Sequence, residues 1–304
     1  MTASQVPEIL LTGGSGQVGW ELRRTLCPIA RVVAPSRGEL SLGDLDGLRS
    51  IVSARRPALV VNAAAFTAVD LAETEPAEAE LVNATAPGVL AEECRRLDIP
   101  IVHFSTDYVF DGAVRVPRRE DDPTHPLNVY GVTKLAGERA VLESGAACLV
   151  FRTSWVYGLR GRNFLRTMLR LARERDRIDV VDDQVGAPTW SRLVAEAVAL
   201  VLGRRRAGAG FAIPPEQAGL FHLAAAGETT WYGFAKAILA LDPHRAQQRP
   251  DALRPIPSSQ YPTPARRPAY SVLDCRHAAR VHGLALPDWE AQLRLALGDG
   301  AGAG

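Results

Sequence analysis

The sequence predicts an α/β protein built on a doubly wound parallel sheet, followed by a smaller C-terminal domain. Short apolar segments alternate with helical patterns through the first half of the 304 residues. A glycine-rich segment joins the first apolar segment to the first helical one. Such alternation is typical of βαβ units, whose right-handed crossovers place helices on both faces of one sheet. The alternation stops after Arg152, which predicts the second domain.

Five segments of the first half are predicted strands, because each is short and apolar and is either β-branched or flanked by turn residues: 8–11, 31–34, 59–62, 101–105 and 148–152. Helical spacing of apolar residues is found between them, at 18–26, 45–54, 78–97 and 130–142. The second half has predicted helices at 163–174, 193–202, 232–241, 275–281 and 288–297, and predicted strands at 177–181 and 220–223. The proline-rich stretch 249–267 is expected to be irregular.

The glycine-rich segment is the first candidate for chemistry. Gly14, Gly16 and Gly19 match G-x-G-x-x-G, and Gly13 begins the wider G-x-x-G-x-x-G. The motif follows a strand and opens a helix, which is the context in which glycines let the backbone approach a pyrophosphate at a helix N-terminus. The sheet is therefore predicted to be a Rossmann-type dinucleotide-binding sheet.

This motif suggests a division of the chain into two domains. Residues 1–154 and about 179–227 are assigned to the dinucleotide-binding domain. Residues from about 155 to 178 and from about 228 to 304 are assigned to a smaller substrate-binding domain.

Charge and cysteine content exclude several other classes. Lys and Arg number 35 against 34 Asp and Glu, a net charge of +1 that argues against a nucleic-acid partner. The cysteines, Cys27, Cys94, Cys148 and Cys275, form no C-x-x-C pair, and no signal-type leader or run of 18 apolar residues is present. We expect reduced thiols, a cytoplasmic location and no membrane partner.

The end of the second predicted strand bears on the choice of cofactor. An acid is usual here in NAD enzymes, where it binds the ribose 2′-hydroxyl. This chain has Ser36 followed by Arg37, which can pair with a 2′-phosphate. NADPH is therefore favoured, with NADH as the alternative cofactor. Asp44 and Leu45 are placed by position near the adenine, and Ala63, Ala64 and Ala65 are small enough for a flat dinucleotide to lie on the sheet.

A second group of residues is suited to proton transfer at a carbonyl. Ser105 and Thr106 end the fourth predicted strand, and Tyr130 and Lys134 are one helical turn apart, on one helix face. A hydroxyl can orient a substrate oxygen beside the tyrosine, and a nearby ammonium lowers the pKa of a phenol. This combination predicts hydride transfer to or from a carbonyl carbon. His103, just before the pair, is expected to be structural.

Taken together, these motifs resemble the extended short-chain dehydrogenase/reductases and, within them, the dTDP-4-dehydrorhamnose reductase family. The resemblance covers almost the whole chain and rests on the segments TGGSGQVGWEL, VVNAAAFTAVDLAE, HFSTDYVFDG, PLNVYGVTKLAGE, FRTSWVYG, DQVGAPT and YPTPARRPAYS. It implies reduction of the 4-keto group of dTDP-4-dehydro-β-L-rhamnose to dTDP-L-rhamnose, in dTDP-rhamnose biosynthesis, by hydride transfer from NADPH.

The resemblance also implies roles for individual residues. Thr106, Tyr130 and Lys134 match the catalytic trio. The positions that match cofactor contacts are Gly13, Gly16, Gln17, Val18, Gly19, Ala63, Ala64, Ala65, Tyr130 and Lys134. The positions that match substrate contacts are Thr106, Asp107, Tyr108 and Trp155. Asn163 and Arg266 are further candidates for holding the diphosphate and sugar, and Trp231 and Tyr232 are aromatic candidates for the same cleft or for core packing.

One departure from the family concerns a metal. Some relatives are thought to dimerise around a metal ion held by carboxylates. Glu21 and Glu290 match two of those positions, but the third is Arg192 here. A bridging Mg²⁺ is therefore doubtful, no metal is expected, and the chain is expected to be a monomer or a homodimer.

Two other functions remain open at this stage. Another nucleotide-sugar reductase, epimerase or dehydratase would use the same fold, although a 4,6-dehydratase has Asp-Glu where this chain has Asp107 and Tyr108. A non-catalytic regulatory subunit, similar to the beta subunit of methionine adenosyltransferase, would keep the same motifs. Turnover with a sugar nucleotide distinguishes the last alternative from an enzyme.

Overall fold

The computed structural model describes residues 6–249 and 252–298. The strands, in chain order, are β1 Glu8–Thr12, β2 Arg31–Val33, β3 Leu59–Asn62, β4 Ile101–Thr106, β5 Cys148–Thr153, β6 Val156–Tyr157, β7 Arg177–Val181, β8 Val185–Gly186, β9 Thr189–Trp190, β10 Arg206–Ala207, β11 Gly210–Phe211, β12 Gly219–His222, β13 Thr229–Thr230 and β14 Ala252–Ile256. The five strands predicted for the first half begin at the predicted residues and end within one residue of them.

The α-helices alternate with these strands and then gather in the C-terminal third. In chain order they are α1 Gln17–Thr25, α2 Leu45–Arg55, α3 Val69–Ala72, α4 Pro76–Glu80, α5 Ala86–Leu97, α6 Val129–Glu143, α7 Phe164–Glu174, α8 Ser191–Arg204, α9 Trp231–Leu241, α10 Arg276–His282 and α11 Trp289–Leu297. Among the residues that the structure describes, no helix has the length and apolar character needed to cross a bilayer.

Six strands form one parallel sheet in the order β12-β5-β4-β3-β1-β2, which confirms the doubly wound α/β fold. One face is covered by α1, α8 and α10, with Leu22, Val194 and Ala278 in its core. The other face is covered by α2, α5 and α6, with Val52 and Leu90 in its core. Because every strand is parallel, all their carboxyl ends lie along one edge of the sheet, where open α/β sheets bind ligands.

The register of the sheet places three polar residues in a row at that edge. Thr12 of β1 pairs with Asn62 of β3, and Asn62 pairs in turn with His103 of β4. Thr12 and Asn62 are the last residues of their strands, His103 lies in the middle of β4, and all three are buried. The parallel register brings these three residues side by side, so their contact follows from how the strands pair.

A second core lies in the C-terminal part. Apolar side chains of α7, α9 and α11 pack together with the strand β7, including Met168, Ile178, Phe234 and Leu293. The strand β7 begins at Arg177 and so crosses the predicted domain boundary near residue 179. The assignment of the two domains otherwise stays a prediction.

The predicted helix 78–97 is interrupted, which is one correction. The residues Leu81–Thr85 form a π-helical turn between α4 and α5. Pro87 has no N–H to donate to the carbonyl of Asn83 four residues earlier, so a regular α-helix cannot continue through this point. The side chain of Asn83 is used elsewhere, since it accepts a hydrogen bond from the N–H of Phe66 (2.8 Å) and donates to the carbonyl oxygen of the same residue (3.1 Å).

The proline-rich stretch 249–267 is the second correction, because it is not wholly irregular. Within it, β14 pairs in parallel with β7, and Pro255 lies opposite Val180. A two-stranded pair has free edges, and a proline is tolerated there because its missing N–H need not reach a neighbouring strand.

Candidate active site

A cleft of about 760 Å³ opens at the carboxyl edge of the sheet and extends towards the C-terminal core. Its lining includes most of the predicted site: Gly13, Gly16, Gln17, Val18, Arg37, Ala63, Ala64, Ala65, Thr106, Asp107, Tyr108, Tyr130, Lys134, Trp155 and Asn163. A single cavity therefore brings together the glycine-rich loop and the residues proposed for proton transfer.

The glycine-rich loop folds tightly against the end of β3. Gly13 has φ +73°, and its carbonyl oxygen accepts the N–H of Gly16 at 2.9 Å. A Cβ at Gly13 would lie 2.5 Å from the backbone nitrogen of Ala64. Gly16 precedes α1 with no side-chain cap, so the first N–H groups of the helix remain available to an anion. The loop is therefore shaped as a cradle for a phosphate group.

Gly19 has a packing role rather than a place on the cleft surface. A Cβ there would lie 2.1 Å from the carbonyl oxygen of Gly13. Only a residue without a side chain lets the helix come this close to the loop.

We expect Gly19→Ala to destabilise the fold by about 1–3 kcal/mol, because its methyl group must push the loop away from the helix. Gly203→Ala is the matched control in α8, where nothing lies within 4 Å of the added Cβ. That change should stabilise the chain by up to about 1 kcal/mol, since alanine has less freedom to lose in a helix. Urea unfolding of both variants measures the difference, and equal midpoints would contradict the packing role.

The polar groups that follow β2 already bind carboxylates of the chain. The backbone N–H and hydroxyl of Ser36 both donate to Glu39 Oε2, at 2.7 and 2.8 Å. The Arg37 guanidinium lies 3.3 Å from Glu78 Oε1 and is 84% exposed. Arg37 and Glu78 line the cleft, whereas Ser36 does not. A 2′-phosphate at this point would compete with carboxylates for both donors.

Asp44 and Leu45 make structural contacts that the sequence did not predict. The Asp44 carboxylate caps α2 by accepting the N–H of Gly47 at 2.9 Å. Leu45 packs against the core on that face of the sheet. The lining at this end of the cleft comes from Leu40, Ser41 and Leu42 instead. A direct contact of Asp44 or Leu45 with the adenine stays a prediction.

Thr106 and Asp107 form a buried pair at the end of β4. The Thr106 hydroxyl donates to Asp107 Oδ1 at 3.1 Å and accepts the N–H of Tyr108 at 3.2 Å. Ser154 donates to the other oxygen of Asp107 at 3.0 Å. Burial raises the pKa of Asp107 to about 6, although hydrogen bonds from Ser271, Ser154 and Thr106 act to lower it.

Tyr130 stands beside this pair on the first turn of α6. Its ring packs edge-on against Tyr108, with the ring centroids 5.6 Å apart. Burial raises the pKa of Tyr130 to about 12, while the Thr106 hydroxyl acts in the opposite direction. The phenolic proton is therefore present across the neutral pH range. Lys134 is not among the groups that act on the pKa of this phenol in the structure, and its lowering of that pKa stays a prediction.

Lys134 lies deeper in the cleft and is 2% exposed. Its Nζ donates to the carbonyl oxygen of Phe104 at 2.6 Å and lies 3.5 Å from His103 Nε2. Burial lowers the pKa of Lys134 to about 8, and the charge of Glu138 one turn along the helix acts to raise it. The lysine thus exchanges its proton much closer to neutral pH than an exposed lysine does.

Two tryptophan rings line one wall of the cleft. The indoles of Trp155 and Trp231 are stacked, with centroids 3.5 Å apart and planes 3° from parallel. Trp155 has φ +45°, a left-handed conformation that is unusual for a tryptophan. A Cβ on Gly186 would lie 2.4 Å from the Trp155 ring, so the glycine makes room for it. Tyr232, by contrast, packs against the C-terminal core.

Asn163 and Arg266 have structural contacts. Asn163 accepts the N–H of Arg166 at 3.1 Å as the cap of α7, and its Nδ2 donates to Gln17 Oε1 at 2.9 Å. Arg266 is exposed and outside the cleft lining, and its carbonyl accepts from Asn128 at 2.7 Å. Its neighbour Arg267 is half-buried and pairs with Asp70.

Two arginines that sequence reasoning did not single out also line the cleft. Arg160 and Arg162 flank Gly161 in the loop before α7, opposite the glycine-rich loop. The Arg160 guanidinium lies over the ring of Trp20, 3.6 Å from its centroid. Two arginines around a glycine, just ahead of a capped helix, are a signal of an anion-facing loop that could have been noticed.

Arg192 and Glu290, two of the residues related to a bridging metal, face side chains of their own helices. Arg192 donates to Glu196 Oε1 at 2.8 Å, and Glu290 lies 3.9 Å from Arg294. Within residues 6–249 and 252–298, no group of three His, Cys, Asp or Glu side chains is placed to hold a metal ion.

A Rossmann-type sheet with a glycine-rich loop, a Thr-Tyr-Lys group and a C-terminal cap over one cleft defines an extended short-chain dehydrogenase/reductase. The family described as RmlD substrate binding domain matches residues 7–301. The chain belongs to this family, that of the dTDP-4-dehydrorhamnose reductases.

Individual relatives agree with this assignment. The dTDP-4-dehydrorhamnose reductase of Burkholderia thailandensis is 48% identical over 298 residues, covering 96% of this chain and 98% of the relative. The Escherichia coli K12 reductase of the same name is 44% identical, over 96% of this chain and 97% of its own. The crystal structure of the Bacillus anthracis reductase, in complex with NADP, superposes with a TM-score of 0.87 at 29% identity, over 96% of this chain and 99% of that one.

Proposed function

We propose that this protein reduces the 4-keto group of dTDP-4-dehydro-β-L-rhamnose to give dTDP-L-rhamnose, with NADPH as the hydride donor. The observation that carries the proposal is the single cleft in which the phosphate cradle meets Thr106, Tyr130 and Lys134. Two relatives that match along nearly their whole length are named for this reaction, and a solved relative binds NADP.

The residues present fit a nicotinamide dinucleotide. Gly13 lets the loop pack tightly against the end of β3, and the uncapped N–H groups at the start of α1 face the cleft beside it. The hydroxyls of Ser105 and Thr153 line the cleft and have no hydrogen-bond partner in the described residues, so they are free to meet a polar ligand. When bound, NADPH supplies the hydride that a carbonyl carbon accepts.

Tyr130 is proposed as the proton donor. Reduction of a ketone builds negative charge on its oxygen, and a neutral phenol beside that oxygen can protonate it. A raised pKa suits this role, because the phenol still holds its proton at the pH of the reaction. Thr106 lies next to it and can exchange its hydrogen bond with Asp107 for one to the same oxygen.

Lys134 is proposed to hold the ribose end of the cofactor and to restore the proton that Tyr130 gives up. The two side chains are one turn apart on α6, and both line the cleft. An amine with a pKa of about 8 is able both to give and to receive a proton near neutral pH.

The sugar nucleotide is proposed to lie between the Trp155–Trp231 pair and Tyr130. Asp107 and Tyr108 offer polar groups at that end of the cleft, and both stacked indoles offer apolar area. Arg160 and Arg162 line the same cleft as the glycine-rich loop, and guanidinium groups are suited to phosphate. The direct roles of Asn163 and Arg266 in substrate binding are less supported, given their structural hydrogen bonds.

The same residues argue against the two alternative functions, a 4,6-dehydratase and a regulatory subunit. A 4,6-dehydratase needs a second acid and base, and Tyr108 follows Asp107 where an acid would stand. A regulatory subunit would have no need for a lysine buried beside a tyrosine, at the cost of desolvating its charge.

A cytoplasmic location is proposed as well. The cysteines at 27, 94, 148 and 275 are unpaired in the structure, as is usual in a reducing compartment such as the cytoplasm. A monomer or a homodimer is proposed, and the molar mass in solution tests this directly.

The function is tested by following NADPH absorbance with a panel of sugar nucleotides. Oxidation with dTDP-4-dehydro-β-L-rhamnose, and little or none with the other 4-keto sugars, is expected. Turnover of a different sugar nucleotide alone would reassign the substrate, and no turnover with any of them would favour the regulatory role.

Cofactor choice gives a further prediction. We expect the parent to prefer NADPH, and Arg37→Ala to reduce that preference by about three- to tenfold, since an exposed charge pair contributes modestly. Glu78→Gln should act the other way, because it removes the acid that holds Arg37. Ser36→Asp should shift the choice towards NADH.

The ratio of kcat/KM for the two cofactors, measured at moderate salt, reports this preference. If Arg37→Ala and Glu78→Gln both left the ratio unchanged, Arg37 would be an ordinary surface cation. The reductase assignment would stand in that case.

A further inference from the structure

His103 is a buried histidine that the reaction proposed above does not use. It has no exposed surface and lies between two polar neighbours, one on each ring nitrogen. Nδ1 lies 3.1 Å from Asn62 Nδ2, and Nε2 lies 3.5 Å from Lys134 Nζ. The row across the sheet therefore continues from Thr12 through Asn62 and His103 to the lysine.

The orientation of the Asn62 amide is fixed by its other contacts. The backbone N–H of Ala64 can only donate, and it points at Asn62 Oδ1 at 3.3 Å. The Thr12 hydroxyl donates to the same oxygen at 2.6 Å. The amide nitrogen must then face His103, so it donates to Nδ1.

This arrangement decides which nitrogen of His103 carries the proton. A nitrogen that accepts a hydrogen bond cannot be protonated, so Nδ1 is bare. Burial and the charge of Lys134 hold the pKa of His103 far below its usual range, so the ring is neutral. Its one proton is therefore on Nε2, the atom that faces Lys134.

An N–H group that faces an amine favours one of the two protonation states of that amine. The neutral amine has a lone pair and can accept from Nε2–H, whereas an ammonium group has only donors. The carbonyl of Phe104 accepts from Lys134 in either state, so it does not reverse this preference. The imidazole thus penalises the charged lysine.

We propose that His103 is a positioning residue that eases deprotonation of Lys134, through an Nε2–H group that Thr12 and Asn62 hold in place. The importance of His103 for catalysis rests on the proposed function, in which Lys134 takes part. The effect of His103 on the Lys134 amine does not depend on that function.

Other groups around Lys134 shift its pKa in both directions. Burial also favours the neutral amine, and Glu138 on the same helix favours the charged one. The Glu138 carboxylate is engaged by Arg152 of β5, whose Nε lies 2.8 Å from Oε2. Tyr130 and Asp107 share the cleft with the lysine. His103 is the titratable neighbour on β4, and its contact is the one that substitution can remove while leaving these groups in place.

The chain offers an unusually clean way to measure this effect. It contains only two lysines, Lys134 and Lys236, and Lys236 is exposed on α9. Protein labelled with ¹³C at the lysine ε-carbon therefore gives two side-chain signals, one for the test group and one for an internal reference. Titration of the free protein, with no cofactor or substrate, yields the pKa of each amine.

Two variants of His103 separate its two nitrogens. His103→Asn keeps an acceptor for Asn62 but places no donor near the lysine, and it should raise the pKa of Lys134 by about one unit or more. His103→Gln extends an amide N–H towards the lysine and should leave that pKa within about half a unit of the parent. The Lys236 signal should be unchanged in both.

The histidine itself can be examined in the unmodified protein. ¹⁵N spectra distinguish a protonated Nε2 from a protonated Nδ1, and the Nε2–H form is expected for His103. Asn62→Asp should reverse this form, because a carboxylate needs a donor from Nδ1. The Lys134 pKa should rise as well, in part through the new negative charge itself. If His103→Asn does not fold, the ¹⁵N form of His103 in the parent and in this second variant decides the matter.

Two results would overturn the proposal. One is a proton on Nδ1 of His103 in the parent. The other is a Lys134 pKa that is the same in folded His103→Asn or Asn62→Asp protein as in the parent. Neither measurement depends on turnover, so the failure of the reductase assignment would be a separate result.

Discussion

Tyr130→Phe is expected to lower the rate of ketone reduction by about 10²- to 10⁴-fold while NADPH still binds. The phenyl ring keeps the edge-on packing against Tyr108, so the shape of the cleft is preserved. The lost hydroxyl carried the proton for the developing alkoxide, and burial keeps that proton in place with a pKa of about 12. Steady-state rates and fluorescence titration with NADPH measure the two effects separately.

Tyr232→Phe is the matched control for this substitution. It removes the same atom from a ring that packs in the C-terminal core, and it should leave the rate close to the parent value. Turnover of Tyr130→Phe within threefold of the parent would remove Tyr130 from the mechanism.

Lys134→Met is the second substitution with a large expected effect. It should lower kcat and raise the KM for NADPH together, with kcat/KM falling by about 10²-fold or more. Methionine fills a similar volume, but it cannot donate to Phe104 or exchange a proton with Tyr130. A loss of both turnover and NADPH affinity would distinguish this lysine from one that only binds the cofactor.

Lys236→Met provides the control, because it removes the only other lysine from an exposed position on α9. Thermal unfolding of both variants checks that they remain folded. An unchanged rate and an unchanged affinity for NADPH in Lys134→Met would mean that the buried amine serves the fold alone.

The sheet could be predicted well from sequence because its strands are short β-branched segments between turn residues. The strand β3, for example, is entirely apolar until Asn62, and its predicted bounds are those observed. The interruption at Leu81–Thr85 was missed, because it depends on Pro87 and on contacts with Phe66 that are 17 residues distant from Asn83. The pairing of β14 with β7 was missed for the same reason, since no local pattern shows a partner so far along the chain.

Site residues could be predicted where a sequence motif determines both the residue type and its position in the fold. Gly13, Thr106, Tyr130 and Lys134 follow motifs whose spacing places them at the sheet edge, and they share one cleft in the structure. Asp44 was placed near the adenine by its position, and Asn163 was a candidate for holding the substrate, but the side-chain oxygens of both residues cap helices.

Contacts across the sheet were beyond the reach of sequence reasoning. The hydrogen bond of Asn62 with His103 joins two strands and depends on their register. The loss of solvent around Tyr130, which raises its pKa, likewise follows from packing and not from neighbouring sequence.

The stacked pair of Trp155 and Trp231 gives the protein an optical property. Two parallel indoles 3.5 Å apart absorb light as a coupled pair, so their circular dichroism differs from that of two separate tryptophans. Both rings line the cleft, and Trp155 has a left-handed backbone conformation that is rare for a bulky residue. A sugar nucleotide that enters between Trp155 and Tyr130 would change the coupling, which makes the protein an unlabelled spectroscopic sensor of its own substrate.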